Sequence, residues 1–478
     1  MTLALQALPL VVLLALLGSG RASPAAACLI ALAAALPAVL ATLPEAAALP
    51  GFLADQALRG LYLGLQPVAV ISGGLLFHAA VTREETAAEA PAPSPARVFA
   101  VTLPMGVFLE SVTGFAVGAV FALSALRRMG LGGAPTGALA LLALVMVPWG
   151  GLGPGTALGA ALSGVPGQVL SLGSAWLTAA WLVLLAPLFW SLSARAGLPV
   201  PGRERTVQAA MLAILAGLLV LSAATLPFEL AGILSAGPVM LWALWRADPP
   251  RDPRAALGRA APYLLLTACL LVARLWQGAP AFRPFPDYPP LPLTHVAVVL
   301  WLVAGGLLLA RPDGAARAGA ALARARRPAA VLLLYVLLGR LLAGSGIAAS
   351  LAGAAAAALG PLAPYAVAPL ALLSGLVTGS NVGSNAALMP VQVALGAAAG
   401  LPPGLAPAIQ NFAGAAGVGL SLGVTAMICG LLADGTRPAQ LWRLLLPWAG
   451  LVLALGWAAI PLLGGYSGLR SELNAHPL

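Results

Sequence analysis

The residues able to do chemistry are few and fall in two runs. The first is GVFLESVTGFAVGAV, residues 106–120, with Glu110 in the middle of an apolar stretch from Val98 to Leu126. An ionisable group so deep in apolar sequence is costly and marks function by default. The structural alternative is a carboxylate that pairs with Arg or caps a helix. The second run is SGLVTGSNVGSNAALMPVQ, residues 374–392. Thr378, Ser380, Asn381, Ser384 and Asn385 supply hydroxyl and amide groups without charge, and Gly379 and Gly383 break helical continuity. Such a break turns helix N-termini toward a ligand, where their partial positive charge favours a carboxylate. A polar loop at the surface is the plainer alternative.

The elements around these runs must be membrane helices. The chain has 478 residues, of which 61% are hydrophobic and 8% charged. A soluble domain carries roughly a quarter charged residues. At ~20 residues per crossing the length allows about 11–14 spans. Soluble enzymes, secreted domains and nucleic-acid binders are excluded; the net charge of +10 comes from scattered arginines with no lysine. Residues 3–19 followed by GSGRASPAAA mimic a signal peptide but lack a positive leader, so an uncleaved first span is expected. Cys28, Cys269 and Cys429 lie far apart in apolar stretches, and His78, His295 and His476 make no cluster. Neither a disulfide nor a metal site is expected, and no cofactor is called for.

From Leu341 to Ala433, 93 consecutive residues carry no Asp, Glu, Lys, Arg or His. Polar, glycine-rich backbone at membrane depth is tolerated where it is buried in protein or lines a cavity. Re-entrant or broken helices are therefore expected, with Gln392, Gln410 and Asn411 among the polar positions. Each polar run is followed by a second glycine-rich interruption: VMVPWGGLGPGTALGAALSG at 145–164, and IQNFAGAAGVGLSLG at 409–423. Two halves, each with a polar hairpin and then a broken helix, are the signature of a transporter repeat pair; close helix packing explains the glycines alone. The expected division is an N-terminal repeat at 1–225, with its hairpin at 98–126 and broken helix at 134–162. Connecting spans follow at 226–328. A C-terminal repeat occupies 329–478, with its hairpin at 362–400 and broken helix at 405–433.

Arginines sit in the breaks 195–205, 246–259 and 311–328, which parity places on one side; the positive-inside rule makes that side cytoplasmic. Arg340 falls about twelve residues beyond Pro328 and could anchor a carboxylate or pair with Glu110, or it snorkels. Arg274 reads as snorkelling near a span end, and Glu229 as a helix-start residue. Burial of a carboxyl in a low-dielectric medium favours its protonated form. That makes Glu110 the candidate proton carrier, with Asp434 a weaker one. No P-loop, HExxH or GxSxG is present, so neither an ATP-driven pump nor an enzyme is expected.

The runs YLGLQPVAVISGGLLF (62–77), GVFLESVTGFAVGAV, VTGSNVGSNAALMPVQ and QNFAGAAGVG resemble the lactate permease family. Its members are bacterial inner-membrane symporters of L-lactate, D-lactate or glycolate with protons. Glu110, Gly114 and Phe115 match its first motif; Thr378, Gly379, Ser380, Ser384, Asn385 and Ala386 match its second. Asn381 stands where the family often carries Asp, VMVPWGG lacks the family's Asn-Thr, and the segment after Asn411 lacks its Lys and Ser-Pro-Gln. The resemblance implies an all-α fold of about 12 (11–14) transmembrane helices. It implies two inverted repeats and multi-pass insertion in a bacterial inner membrane. The expected substrate site comprises Thr113, Gly114, Thr378, Gly379, Ser380, Asn381, Ser384, Asn385 and Asn411. Expected partners are a small carboxylate, a proton and the bilayer, with no nucleic acid; a homo-oligomer stays open. Sodium coupling, another organic anion, and a non-transport membrane subunit or intramembrane enzyme are the alternatives.

Overall fold

Apolar runs become helices here, and Gly, Pro or Ser marks where many of them stop. A computed structural model describes residues 2–43, 49–82, 92–249 and 252–464. Arg251, His476, most of the 83–97 break and the Arg259 side chain lie outside the described residues. The first helices are α1 (Thr2–Gly18), α2 (Pro24–Thr42) and α3 (Leu49–Val81). Then come α4 (Pro95–Thr102), α5 (Pro104–Thr113) and α6 (Val117–Arg128). An interrupted segment follows: α7 (Gly133–Leu141), 3₁₀ turns at 142–152, and α8 (Pro154–Ser163). Next are α9 (Gly167–Leu184), α10 (Ala186–Arg195), α11 (Gly202–Thr225), α12 (Phe228–Ala247) and α13 (Pro253–Leu275). A short antiparallel pair, β1 (Ala281–Phe282) and β2 (Leu291–Pro292), leads to α14 (Val296–Leu309) and α15 (Gly314–Gly344). The last part holds α16 (Ile347–Leu359), a 3₁₀ segment Gly360–Ala366, α17 (Val367–Thr378), α18 (Asn381–Ala398), α19 (Leu405–Val418), α20 (Leu422–Leu432) and α21 (Pro438–Gly464).

Among the described residues, ten helices are long and apolar enough to cross a membrane, and four shorter apolar helices accompany them. With the composition, this makes the chain an all-α polytopic membrane protein. One expectation needs correction. The 311–328 stretch is not a loop: Arg317, Arg324, Arg326 and Arg327 ride on the first half of α15. The chain turns at Ser345 and Gly346, where Gly346 takes φ +81°, and α16 starts anew.

Close helix contacts use glycine where backbones meet. A Cβ at Gly375 of α17 would lie 1.8 Å from the Gly414 carbonyl oxygen of α19. One at Gly339 of α15 would lie 2.1 Å from the Ala386 carbonyl oxygen of α18. Gly60 and Gly64 of α3 receive Leu337 and Leu333 of α15. Small residues at such crossings let backbones approach and gain dispersion contact in a medium that offers no hydrophobic drive.

Polar contacts collect at the helix ends. At one end Arg246 pairs with Glu204, Arg97 lies 3.5 Å from Asp248, and Gln208 donates to the Pro95 carbonyl. Followed helix by helix, the same end receives Arg317 on the Thr82 carbonyl (3.1 Å) and Asp434 on the Gly133 amide (2.7 Å). The opposite end holds Arg274–Glu229, Arg59–Asp287 (2.8 Å) and Arg340–Gln56 (2.6 Å). Loops 195–205 and 246–259 and the start of α15 thus share one end. With the positive-inside rule, single cysteines placed there are expected to resist an impermeant thiol reagent in intact cells. Labelling at any one of the three sites would contradict this topology.

Candidate functional site

Two helical hairpins enter from opposite ends. The first runs through α4 and α5 from the arginine-rich end, turns at 114–116 and returns as α6. The turn is tight: Gly114, Phe115 and Ala116 all take positive φ, at 69°, 60° and 60°. Phe115 and Ala116 carry side chains in a left-handed conformation that costs roughly 1–2 kcal/mol each. The second hairpin enters with α17 from the other end, turns at Gly379 (φ 65°) and returns as α18. Each tip rests on an interrupted segment. A Cβ at Gly114 would sit 3.1 Å from the Gly151 Cα, and one at Gly379 would sit 3.2 Å from Ser421 Oγ at the start of α20.

Helix starts near the centre are capped differently. Ser380 Oγ accepts from the Gly383 amide at the start of α18, and Ser421 Oγ accepts from the Val424 amide at the start of α20. At α6 the capping position is Ala116, which has no side-chain acceptor. Glu110 supplies it from the other arm of the hairpin. Its Oε1 accepts from the Ala116 amide and its Oε2 from the Gly118 amide, both at 3.1 Å. Glu110 is 3% exposed. The Glu110–Arg340 pair, one of the alternatives for Arg340, does not form. Arg340 lies four residues from the end of α15, where its Nη2 donates to Gln56 Oε1 and its guanidinium stands 5.6 Å from the Tyr288 ring centre. Arg340 therefore belongs to the end of the bundle and does not reach the central carboxylate.

The centre itself is a charge-free network. Asn411 of α19 is its hub: its Oδ1 accepts from Asn381 Nδ2 (3.0 Å) and Asn385 Nδ2 (2.9 Å) of α18. Its Nδ2 donates to Thr156 Oγ1 of α8 (3.1 Å) and Ser174 Oγ of α9 (3.0 Å). Asn385 Nδ2 also donates to the Gly155 carbonyl (2.9 Å), and Thr156 Oγ1 donates to the Pro148 carbonyl (2.6 Å). A second branch joins Gln410 Nε2 to Ser384 Oγ (2.9 Å), Ser384 to Ser374 (2.6 Å), and Gln392 Nε2 to Gln410 Oε1 (3.0 Å). Asn385, Gln410, Asn411, Thr156 and Ser174 are fully buried. The Asn381 Oδ1 is buried with no hydrogen-bond partner among the described residues. The network therefore links residues of the first half to residues of the second, through the interruption that precedes α8.

Of the expected site residues, the structure brings together Asn381, Ser384, Asn385 and Asn411. Ser380 and Gly379 form the adjoining tip. Thr378 turns its hydroxyl back to the Ser374 and Ser380 carbonyls, and Thr113 bonds the Leu109 carbonyl of its own helix. Gly114 packs on the 150–151 bend, with Glu110 beside Gly150: a Cβ there would be 3.5 Å from Oε1. The bend thus stands between Glu110 and the amides. Ser374, Thr156 and Ser174 were not among the expected site residues. Thr156 had a signal, its place in the GLGPGTALG interruption; Ser174 on α9 had none. Asp434, the weaker coupling candidate, sits outside the spans. Hydrogen bonds from the Thr436 hydroxyl and amide, aided by the Gly133 amide, hold its carboxyl below the ordinary carboxylate range. Among the described residues no group of His, Cys, Asp and Glu could hold a metal ion.

No protein-family model matches the chain, and no curated protein matches it. Among solved structures it is similar to the YdaH transporter of Alcanivorax borkumensis, at 19% identity over 88% of each chain, with a TM-score of 0.44.

Proposed function

We propose that this chain is a secondary active transporter of a bacterial inner membrane, which carries a small 2-hydroxy monocarboxylate such as L-lactate, D-lactate or glycolate together with a proton. The proposal follows the resemblance to lactate permeases. The observation that supports it is the Asn411 network, which joins the second hairpin to α9 and to the interrupted helix of each half at one uncharged buried point. Broken helices that meet at mid-depth are how transporters present helix N-termini and carbonyls to a substrate. In this reading the repeats comprise 1–225 and 329–478, and relative movement of the hairpins opens the network. The amide N–H groups of Asn381 and Asn385, released from Asn411, donate to the substrate carboxylate. Thr156 and the first turn of α8 face the same point.

Glu110 carries the proton in this reading. Ionised, its two oxygens hold the start of α6 to α5. Protonated, it is a weaker acceptor, so the first hairpin loosens. Movement of that tip is then linked to the proton. A sodium-coupled variant has one observation in its favour, the orphaned Asn381 Oδ1, which is a neutral oxygen able to take a cation.

Counterflow in proteoliposomes tests the transport reading without any coupling gradient. Vesicles loaded with unlabelled L-lactate are expected to take up labelled lactate and glycolate, and to exclude dicarboxylates. Exchange with none of a panel of short organic anions would overturn the reading. Asn385→Ala is expected to weaken substrate binding by about ten- to a hundredfold, because a hydrogen bond to a charged group contributes ~1.5–3 kcal/mol. Titration of the purified variant measures this.

A further inference from the structure

A cleft of about 450 Å³, lined by none of the amide-network residues, lies at the end of the molecule that carries the 226–227 connection, with its Phe228 packed against Gly153 and Gly167. Gln168, Thr225, Leu226, Phe228, Glu229 and Arg274 line it. Arg274 Nη2 donates to Glu229 Oε1 at 2.5 Å. Glu229 is 8% exposed, and its second oxygen, Oε2, is buried with no hydrogen-bond partner among the described residues. Buried polar atoms are almost always bonded, so the Glu229 carboxylate, which lines the cleft, has one acceptor left for a ligand's donor. Arg274 spends one nitrogen on this pair, and its side chain is 42% exposed. Gln168 is fixed by donating to the Ala223 and Leu226 carbonyls.

The charges narrow the ligand class. Glu229 and Arg274 sum to zero. An anion alone on Arg274, or a cation alone on Glu229, leaves an uncompensated charge against a partly apolar wall. A ligand that carries both signs leaves none. The wall includes Leu226 and Phe228, and exposed Trp276 follows Arg274 by two residues. Exposed tryptophan at a helix end is typical of the depth at which lipid head groups lie.

We propose that this cleft binds a small zwitterion, with its anionic group on the Arg274 guanidinium and a primary ammonium donating to Glu229 Oε2. Two sources share that chemistry: the head group of phosphatidylethanolamine in the surrounding leaflet, and a free molecule such as O-phosphoethanolamine. A choline head group has the same phosphate but no N–H to donate. The inference does not depend on what the amide network transports.

The test is native mass spectrometry of the full-length protein from nanodiscs of mixed phosphatidylethanolamine and phosphatidylcholine, paired with calorimetric titration of O-phosphoethanolamine into nanodiscs of phosphatidylcholine alone. Retention of the ethanolamine lipid over the choline lipid by about tenfold, lost in Glu229→Gln, supports the site with a lipid source. Saturable binding of O-phosphoethanolamine, lost in Glu229→Gln, without lipid selection supports it with a soluble source. Equal retention of both lipids with no titration heat overturns it; so does selection or binding that Glu229→Gln leaves unchanged. The wild-type comparison stands even if the variant does not fold.

Discussion

Replacing Glu110 by Gln is expected to bring pH-driven net uptake down to background while exchange of bound substrate persists. The glutamine keeps one acceptor oxygen for the start of α6 and turns an amide N–H toward the other backbone donor. One of the bonds from Ala116 and Gly118 is therefore lost. The stability cost is about 1–3 kcal/mol, which a folded variant can survive. Transport coupling is a different matter, because a carboxamide cannot exchange a proton. Among the described residues no charged side chain pairs with Glu110. The charged groups of its neighbours Arg97, Arg127, Arg128, Glu229 and Arg246 sit at helix ends. Gel filtration and a thermal melt report the fold, and net uptake against counterflow separates coupling from binding. A variant that expresses and melts normally yet keeps full pH-driven uptake would remove Glu110 from the mechanism.

Asn411→Ala is expected to have the largest effect on stability within the polar network. It removes the acceptor that Asn381 and Asn385 share, and the donors to Thr156 and Ser174. Each stranded buried group costs about 1–3 kcal/mol, with sums that do not add simply because the groups share partners. A fall in the melting temperature larger than that of Gln392→Ala, together with loss of substrate binding, is the expected outcome. Gln392 is the fair control because it lies on the outer branch, bonded to the Val367 carbonyl and to Gln410. Equal melting of Asn411→Ala and the wild type would show that the network does not hold the two halves together.

The polar residues of the second half were legible because nothing charged surrounds them. In the run from Leu341 to Ala433, Asn381, Ser384, Asn385 and Asn411 stand out, and burial requires them to bond one another. The turn of the second hairpin was legible from Gly379. Other features depend on packing that no spacing reveals. Glu110 could equally have met an arginine or an amide. That it caps α6 follows from Ala116 standing at a helix start with no acceptor of its own. Arg340 was misplaced because Pro328 reads as a helix start, whereas α15 runs through it from Gly314 and carries Arg340 nearly to its far end. Ser174 contributes through α9, whose sequence has no polar run to single it out.

The central claim is that one carboxylate moves with one proton by way of the Asn411 network. Uptake of labelled L-lactate into proteoliposomes, compared with empty liposomes, tests it most directly. Acid outside and alkali within should drive accumulation above the empty-liposome level. A protonophore should abolish that accumulation, and a sodium gradient should leave it unchanged. Uptake that follows sodium and ignores the protonophore, or none above empty liposomes under any gradient, would contradict the account.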